Sequence, residues 1–210
     1  MGKELRNLNE FSLDQIHQLW ESAEAISSPE LSERKRGLER LIEFDVVRRS
    51  PLIAYLLATR IVEPDLTLRA YIVRVLAGIL KTDSPNNLSP DDVRLTLVNY
   101  LSQIDLREIM ALLQLAEIDP YAEEQIILLL SACSCAGGHL IFIANDRGTS
   151  LPARKLSVKF IGRVGYLEAL PDLLRLETRL KTRTKTNHTE DSQTSLLPII
   201  TESLTLLRTP

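Results

Sequence analysis

The sequence holds little of what a sheet, a disulfide framework or a metal centre would need. Aromatic residues make up only 5% of the chain. Alternating runs of β-branched residues between turn signals, which would announce strands, are nearly missing, so a β-rich fold is disfavoured. Cysteine is confined to Cys133 and Cys135, and the histidines His17, His139 and His188 are scattered. No second Cys or His pair completes a zinc set, and no metal is expected. On a helix, residues two apart point to nearly opposite sides, because each turns the chain by about 100°. The two thiols are therefore expected to be unbridged, buried and structural, as in a reducing cytoplasm. The eight glycines are expected mostly at helix junctions, where a helix ends readily.

Catalytic signatures are missing as well. Ala136-Gly137-Gly138 lacks the Lys and the glycine spacing of a phosphate-binding loop and reads as a helix stop. No serine has a nucleophile-elbow setting. The adjacent carboxylates Asp91-Asp92 and Glu123-Glu124 fall in helix first turns, where complementing the helix dipole suffices. Neither catalysis nor a cofactor is expected. The stretch from Gln125 to Asn145 carries no formal charge, close to the ~20 residues of a membrane span. Gly137-Gly138 and His139 divide it, so two short buried helices meeting at a glycine turn are expected instead. The polar run Met1 to Glu10 does not resemble a secretory signal, and the expected location is cytoplasmic with no membrane contact.

What is present is helix. Leu, Arg, Glu, Ala and Ile dominate, residues that favour or tolerate helix. Start signals punctuate the chain: Ser12 with Gln15, Ser28-Pro29, Ser50-Pro51, Pro64-Asp65, Ser89-Pro90-Asp91-Asp92, Asp105, Asp119-Pro120 and Ser150-Leu151-Pro152. Apolar residues follow each at one-face spacing, for instance Leu68, Ile72, Val75, Leu76 and Ile79. A polar loop is expected over Thr82 to Leu88. The prolines Pro90, Pro120 and Pro152 recur at 30 and 32 residues, and each interval holds two helices. A unit of that size is a helical hairpin, which hides its apolar side only by stacking on neighbours.

The stretch Arg154 to Gly165, followed by Leu167 to Leu174, resembles a HEAT repeat, and Arg69 to Ile79 lines up with its first helix. The resemblance implies an all-α fold, an α-solenoid of stacked antiparallel helical hairpins with about 10–11 helices. Gly162 and Ala77 are the small residues that would let adjacent helices approach. The expected layout is a repeat array over residues 1–181, a polar flexible linker over 182–195, and a capping helix over 196–210. An irregular helical bundle is the alternative architecture.

Net charge is −3, but residues 147–185 hold ten basic and three acidic residues, +7, leaving −10 for the remainder. Such polarity predicts a biased contact surface. Second helices of stacked hairpins commonly line the concave side, and on them Arg175 and Arg179 lie four apart on one face. Lys181 and Arg183 extend this strip, and Arg147 and Arg107 can join it. The expected function is a non-catalytic scaffold or adaptor that binds another protein through its repeat surface, the strip attracting an acidic segment. The alternative is a nucleic-acid-binding or base-modifying protein, as in HEAT-like DNA glycosylases. Against that, Tyr166 and Phe160 are the only aromatics between Arg147 and Lys185, too few for a stacking platform. No residue set marks a chromophore site of the phycobilin-lyase kind.

Overall fold

Side-chain caps fix where four of the helices begin. In the computed structural model of the chain, which describes residues 13–81, 89–186 and 195–209, Ser50 accepts the Ile53 amide and Asp65 the Leu68 amide. Asp105 forms a reciprocal capping box with Glu108, and Ser150 accepts the Ala153 amide. Each cap satisfies an amide that the helix itself leaves without a partner. Eleven helices follow, with no strand among the described residues. They are α1 (Leu13–Ala25), α2 (Leu31–Glu43), α3 (Pro51–Ala58), α4 (Leu66–Leu80), α5 (Asp91–Leu101), α6 (Leu106–Ile118), α7 (Glu123–Ser131), α8 (Ala136–Asn145), α9 (Leu151–Val164), α10 (Leu170–Thr186) and α11 (Leu197–Arg208). Short 3-10 turns precede α3, α4, α7 and α10. No helix among the described residues is long and apolar enough to cross a membrane.

The chain divides into two compact units, Met1–Tyr100 and Leu101–Pro210. In the first, α1 packs on α2 and α3 on α4, around Leu38, Leu41, Leu57, Ile61, Ile72 and Leu76, all essentially without solvent contact. Tyr55 of α3 and Tyr100 of α5 meet edge to face, 5.5 Å between ring centres. In the second unit α9 is the central element, packed by α6, α7, α8 and α11. Phe160 is its largest fully buried side chain. Helix α11 packs on both α9 and α10, and the Ser203 hydroxyl donates to the Val158 carbonyl at 2.9 Å. Gly162 makes this crossing possible. A Cβ there would stand 2.7 Å from Ser203 Cα, closer than packed atoms tolerate.

Several boundaries differ from the sequence reading. Helix α2 starts at Leu31 rather than at Pro29, with Glu30 as its N-terminal flank. The break between α7 and α8 falls at residues 132–135, so Gly137 and Gly138 lie in the first turn of α8 rather than in a turn. Gly137 is small for a packing reason: a Cβ would press on Glu168 and stand 3.0 Å from Tyr166 Cβ. Glycines 37, 78 and 162 are also inside helices. Gly165 does end one, at φ 88° beyond α9, the left-handed conformation that glycine adopts without strain. Helix α10 continues to Thr186, five residues into the segment expected to be a linker. Ser12, the loop at 82–88 and residues 187–194 lie outside the described residues.

Candidate functional site

The unit Leu101–Pro210 gathers three arginines at the C-terminal end of α8. Arg154 is the fourth residue after its helix cap Ser150 and is buried. Its Nε donates to the Ala144 carbonyl at 3.0 Å, one of the last carbonyls of α8, which lack helical partners. From α10, Arg179 reaches the next residue: its Nη2 donates to Asn145 Oδ1 at 2.9 Å. Arg147 stands two residues further, exposed in the turn between α8 and α9. None of the three makes an ion pair among the described residues.

Electrostatics agree with that geometry. Burial lowers the proton affinity of Arg154, and the positive charges of Arg179 and Arg147 lower it further. Asp146 is the one carboxylate that acts the other way. That carboxylate is already engaged, accepting from the Gly148 amide at 2.9 Å and the Thr149 hydroxyl at 2.8 Å, and these bonds hold it below the usual carboxylate range. Three positive charges thus stand against one negative charge. A cationic head beside a helix C-terminus is also favoured by the helix dipole, which explains why the cluster is tolerated in a folded chain. Phe142 lies one turn before Asn145 on α8, with its ring exposed to solvent, so an apolar surface borders the arginines.

The other residues expected in a basic strip have different surroundings. Arg175 donates to Asp172 at 3.0 Å and Lys181 to Glu177 at 2.6 Å, so both are paired within α10. Arg107 is exposed in the first turn of α6, where its amide donates to Asp105, and no contact joins it to the cluster among the described residues. The Arg183 side chain lies outside the described residues. Arg154, absent from the expected strip, is the residue that the structure adds. Its signal in the sequence is its match to Arg69 in the lined-up helices, which marks a repeat position and not a site.

The unit Met1–Tyr100 holds a second arginine cluster of the opposite character. Glu63, almost wholly buried, meets Arg34 at 2.7 Å and Arg60 at 3.1 Å. Arg34 also donates to the carbonyls of Ser28 and Pro29. Arg69 Nε donates to the Glu63 carbonyl at 2.6 Å. Burial pushes the Glu63 carboxyl upward, but the hydrogen bonds from Arg34, the Asp65 amide and Arg60 outweigh it, leaving a net downward shift. In this set the arginines and the acid answer one another directly.

Among the described residues no three His, Cys, Asp or Glu side chains are grouped to hold a metal ion. Comparison with family models, curated proteins and solved structures found no match. The functional reading therefore rests on the chain's own chemistry.

Proposed function

We propose that the chain is a non-catalytic interaction module, a HEAT-like stack of helical hairpins. In this reading its second unit holds an acidic segment of a partner protein at Arg147, Arg154 and Arg179. The observation that carries it is the gathering of three arginines about residues 144–147 at the end of α8, with one occupied carboxylate for balance. A partner carboxylate placed there gains charge-assisted hydrogen bonds, each worth about 1.5–3 kcal/mol, and relieves repulsion that the free protein bears. Arginine suits this role because its planar fork pairs with both oxygens of a carboxylate. The exposed ring of Phe142 supplies an apolar anchor beside the charges, the pairing found at interface hot spots.

An acidic peptide is favoured over nucleic acid by extent. Phosphate-backbone binders spread many basic side chains along a track, whereas Arg175 and Lys181 are paired within their own helix. The test is a titration of a labelled Glu-rich peptide carrying one Phe, in parallel with single-stranded and duplex oligonucleotides, at low and physiological salt. The peptide should bind, and the double charge reversal Arg147→Glu with Arg179→Glu should weaken it by about tenfold or more, on the order of 1.4 kcal/mol. Arg175→Glu should change it little. Peptide affinity that survives the double reversal would discard the site. Oligonucleotide binding with a steep salt slope would replace the partner class.

A further inference from the structure

The turn joining α7 to α8 brings together the only two cysteines of the chain. On a continuous helix Cys133 and Cys135 would diverge; here α7 ends at Ser131 and α8 begins at Ala136, and the turn folds the two sulfurs to 3.4 Å. A disulfide bond is about 2.05 Å long, so the sulfurs are in contact but unbonded and need to close by only about 1.4 Å. Their surroundings differ sharply. Cys133 has no solvent exposure, while Cys135 is exposed. The turn is held from both sides. The Tyr166 hydroxyl donates to the carbonyls of Leu130 and Cys133. Cys135 Sγ lies 3.5 Å from the Ile104 carbonyl and 3.6 Å from that of Ser102.

We propose that Cys133 and Cys135 are a redox-active dithiol, which a hydroperoxide converts to an intrachain disulfide and a dithiol reductant restores. Packing explains one buried cysteine. It does not explain a second, exposed thiol held against the first. Access assigns the roles. The Cys135 sulfur attacks the terminal oxygen of the hydroperoxide, the O–O bond breaks, and an alcohol leaves (water, where the oxidant is hydrogen peroxide). Cys135 is then a sulfenic acid, oxidised by two electrons. The Cys133 sulfur attacks the sulfenic sulfur, the S–OH bond breaks, and the departing hydroxide takes the Cys133 proton to leave as water. Reduction runs through exchange: a thiolate of the reductant attacks the more exposed sulfur, Cys135, and its second thiol displaces the protein, returning both thiols and leaving the reductant as a disulfide.

Burial pushes the Cys133 thiol up to about 12, and the neighbouring Cys135 adds to the shift. Cys133 is thus a poor first target for oxidant, which fixes the order of the two steps. Its low thiolate fraction slows the second step, and the contact with Cys135 offsets this, because a reaction between held neighbours proceeds at a very high effective concentration. In a reducing compartment such a pair stays as thiols and is bridged only transiently. This site is independent of the arginine cluster and stands if that reading fails.

The experiment uses the full reduced chain and hydrogen peroxide, followed by alkylation of remaining thiols under denaturing conditions and intact-mass and peptide analysis. The expected product is a monomer lighter by two hydrogen atoms, with both alkylation sites lost and both recovered by dithiothreitol. Cys133→Ala should stop at a Cys135 sulfenic acid, a gain of one oxygen that dimedone traps. Cys135→Ser should leave Cys133 alkylatable throughout. The unsubstituted chain decides the matter even where a variant folds poorly. Oxidation that stops at a sulfinic acid on Cys135, a disulfide-linked dimer with Cys133 still alkylatable, or no change under peroxide would each overturn the proposal.

Discussion

Arg69 and Arg154 hold the same place in two lined-up helices. Each is the fourth residue after a helix cap, Asp65 in one case and Ser150 in the other. Each is buried, and each donates its Nε to a backbone carbonyl of a preceding segment. Beyond that point they part. Around Arg69 the sequence supplies Glu63, and Arg34 and Arg60 converge on the same carboxylate. Around Arg154 it supplies Arg147 and Arg179, with Asp146 already engaged by its own turn. The shared part of the geometry, a guanidinium fastening one helix to the carbonyl before it, holds structure in both units. What differs is whether the charge is answered internally. Glu63 pairs directly with its arginines, and in the reading proposed above the charge that no carboxylate meets in the second unit is left for a ligand.

The sharpest way to break this comparison is to remove the answering carboxylate. Glu63→Ala leaves Arg34 and Arg60 without their acid in a site from which water is largely excluded. Breaking a buried pair in this way costs about 3–5 kcal/mol. Urea denaturation followed by hydrogen exchange should show the loss in the amides of α2 and α4, with the amides of α9 changed much less. A loss under about 1 kcal/mol, the usual worth of an exposed pair, would mean that Glu63 does not organise its unit.

The next effect in size separates the units by pH. The Glu63 carboxyl is held below its ordinary value, so its contribution is present above the unfolded-state pKa near 4.3 and is lost as pH falls through the lower folded value. In the other unit burial raises both the Cys133 thiol, up to about 12, and the Tyr166 hydroxyl. Groups raised on folding are neutral at no penalty below their unfolded pKa, and stability falls as pH climbs from there toward the folded value. Hydrogen exchange across a pH series should therefore show α2 and α4 weakening on the acid side. The turn between α7 and α8 should weaken above about pH 9, where an ordinary thiol begins to ionise. The caps Asp105 and Asp146 are also lowered, so acid touches the second unit too, but at exposed positions. Alkaline loosening confined to α2 and α4 would contradict the assignment.

These local and distant features differ in how far the sequence discloses them. The helices were legible because their signals are local: Ser50, Asp65, Asp105 and Ser150 each cap within three residues. The turn at Cys133 was not, because Gly137-Gly138 offered a stronger local stop signal. Gly137 instead answers a contact with Tyr166 and Glu168, about thirty residues away. Glu63 is not legible for the same reason, since Arg34 is 29 residues distant. The basic character of residues 147–185 was visible as composition. Its division was not wholly hidden, because Asp172 with Arg175 and Glu177 with Lys181 carry the i,i+3 and i,i+4 spacing of self-paired helix charges. Arg147, Arg154 and Arg179 come from three different segments, and only folding brings them together.

The smallest effect tests the other half of the comparison. Arg154→Met keeps the length and apolar stem of the side chain while removing a charge that no neighbouring acid compensates. The loss is one hydrogen bond to the Ala144 carbonyl, about 0.5–1.5 kcal/mol, or somewhat more for a charged donor. Against it stand relief from Arg147 and Arg179 and the desolvation of a guanidinium that no longer has to be buried. The two sides nearly cancel, so thermal unfolding should move by no more than about 1 kcal/mol, while binding of the acidic peptide should weaken at least as much as it does for Arg179→Glu alone. A large loss of stability with binding intact would show that Arg154 is held in place as firmly as Arg69. The two arginines would then be the same structural device used twice, and the unanswered charge would have no function to explain.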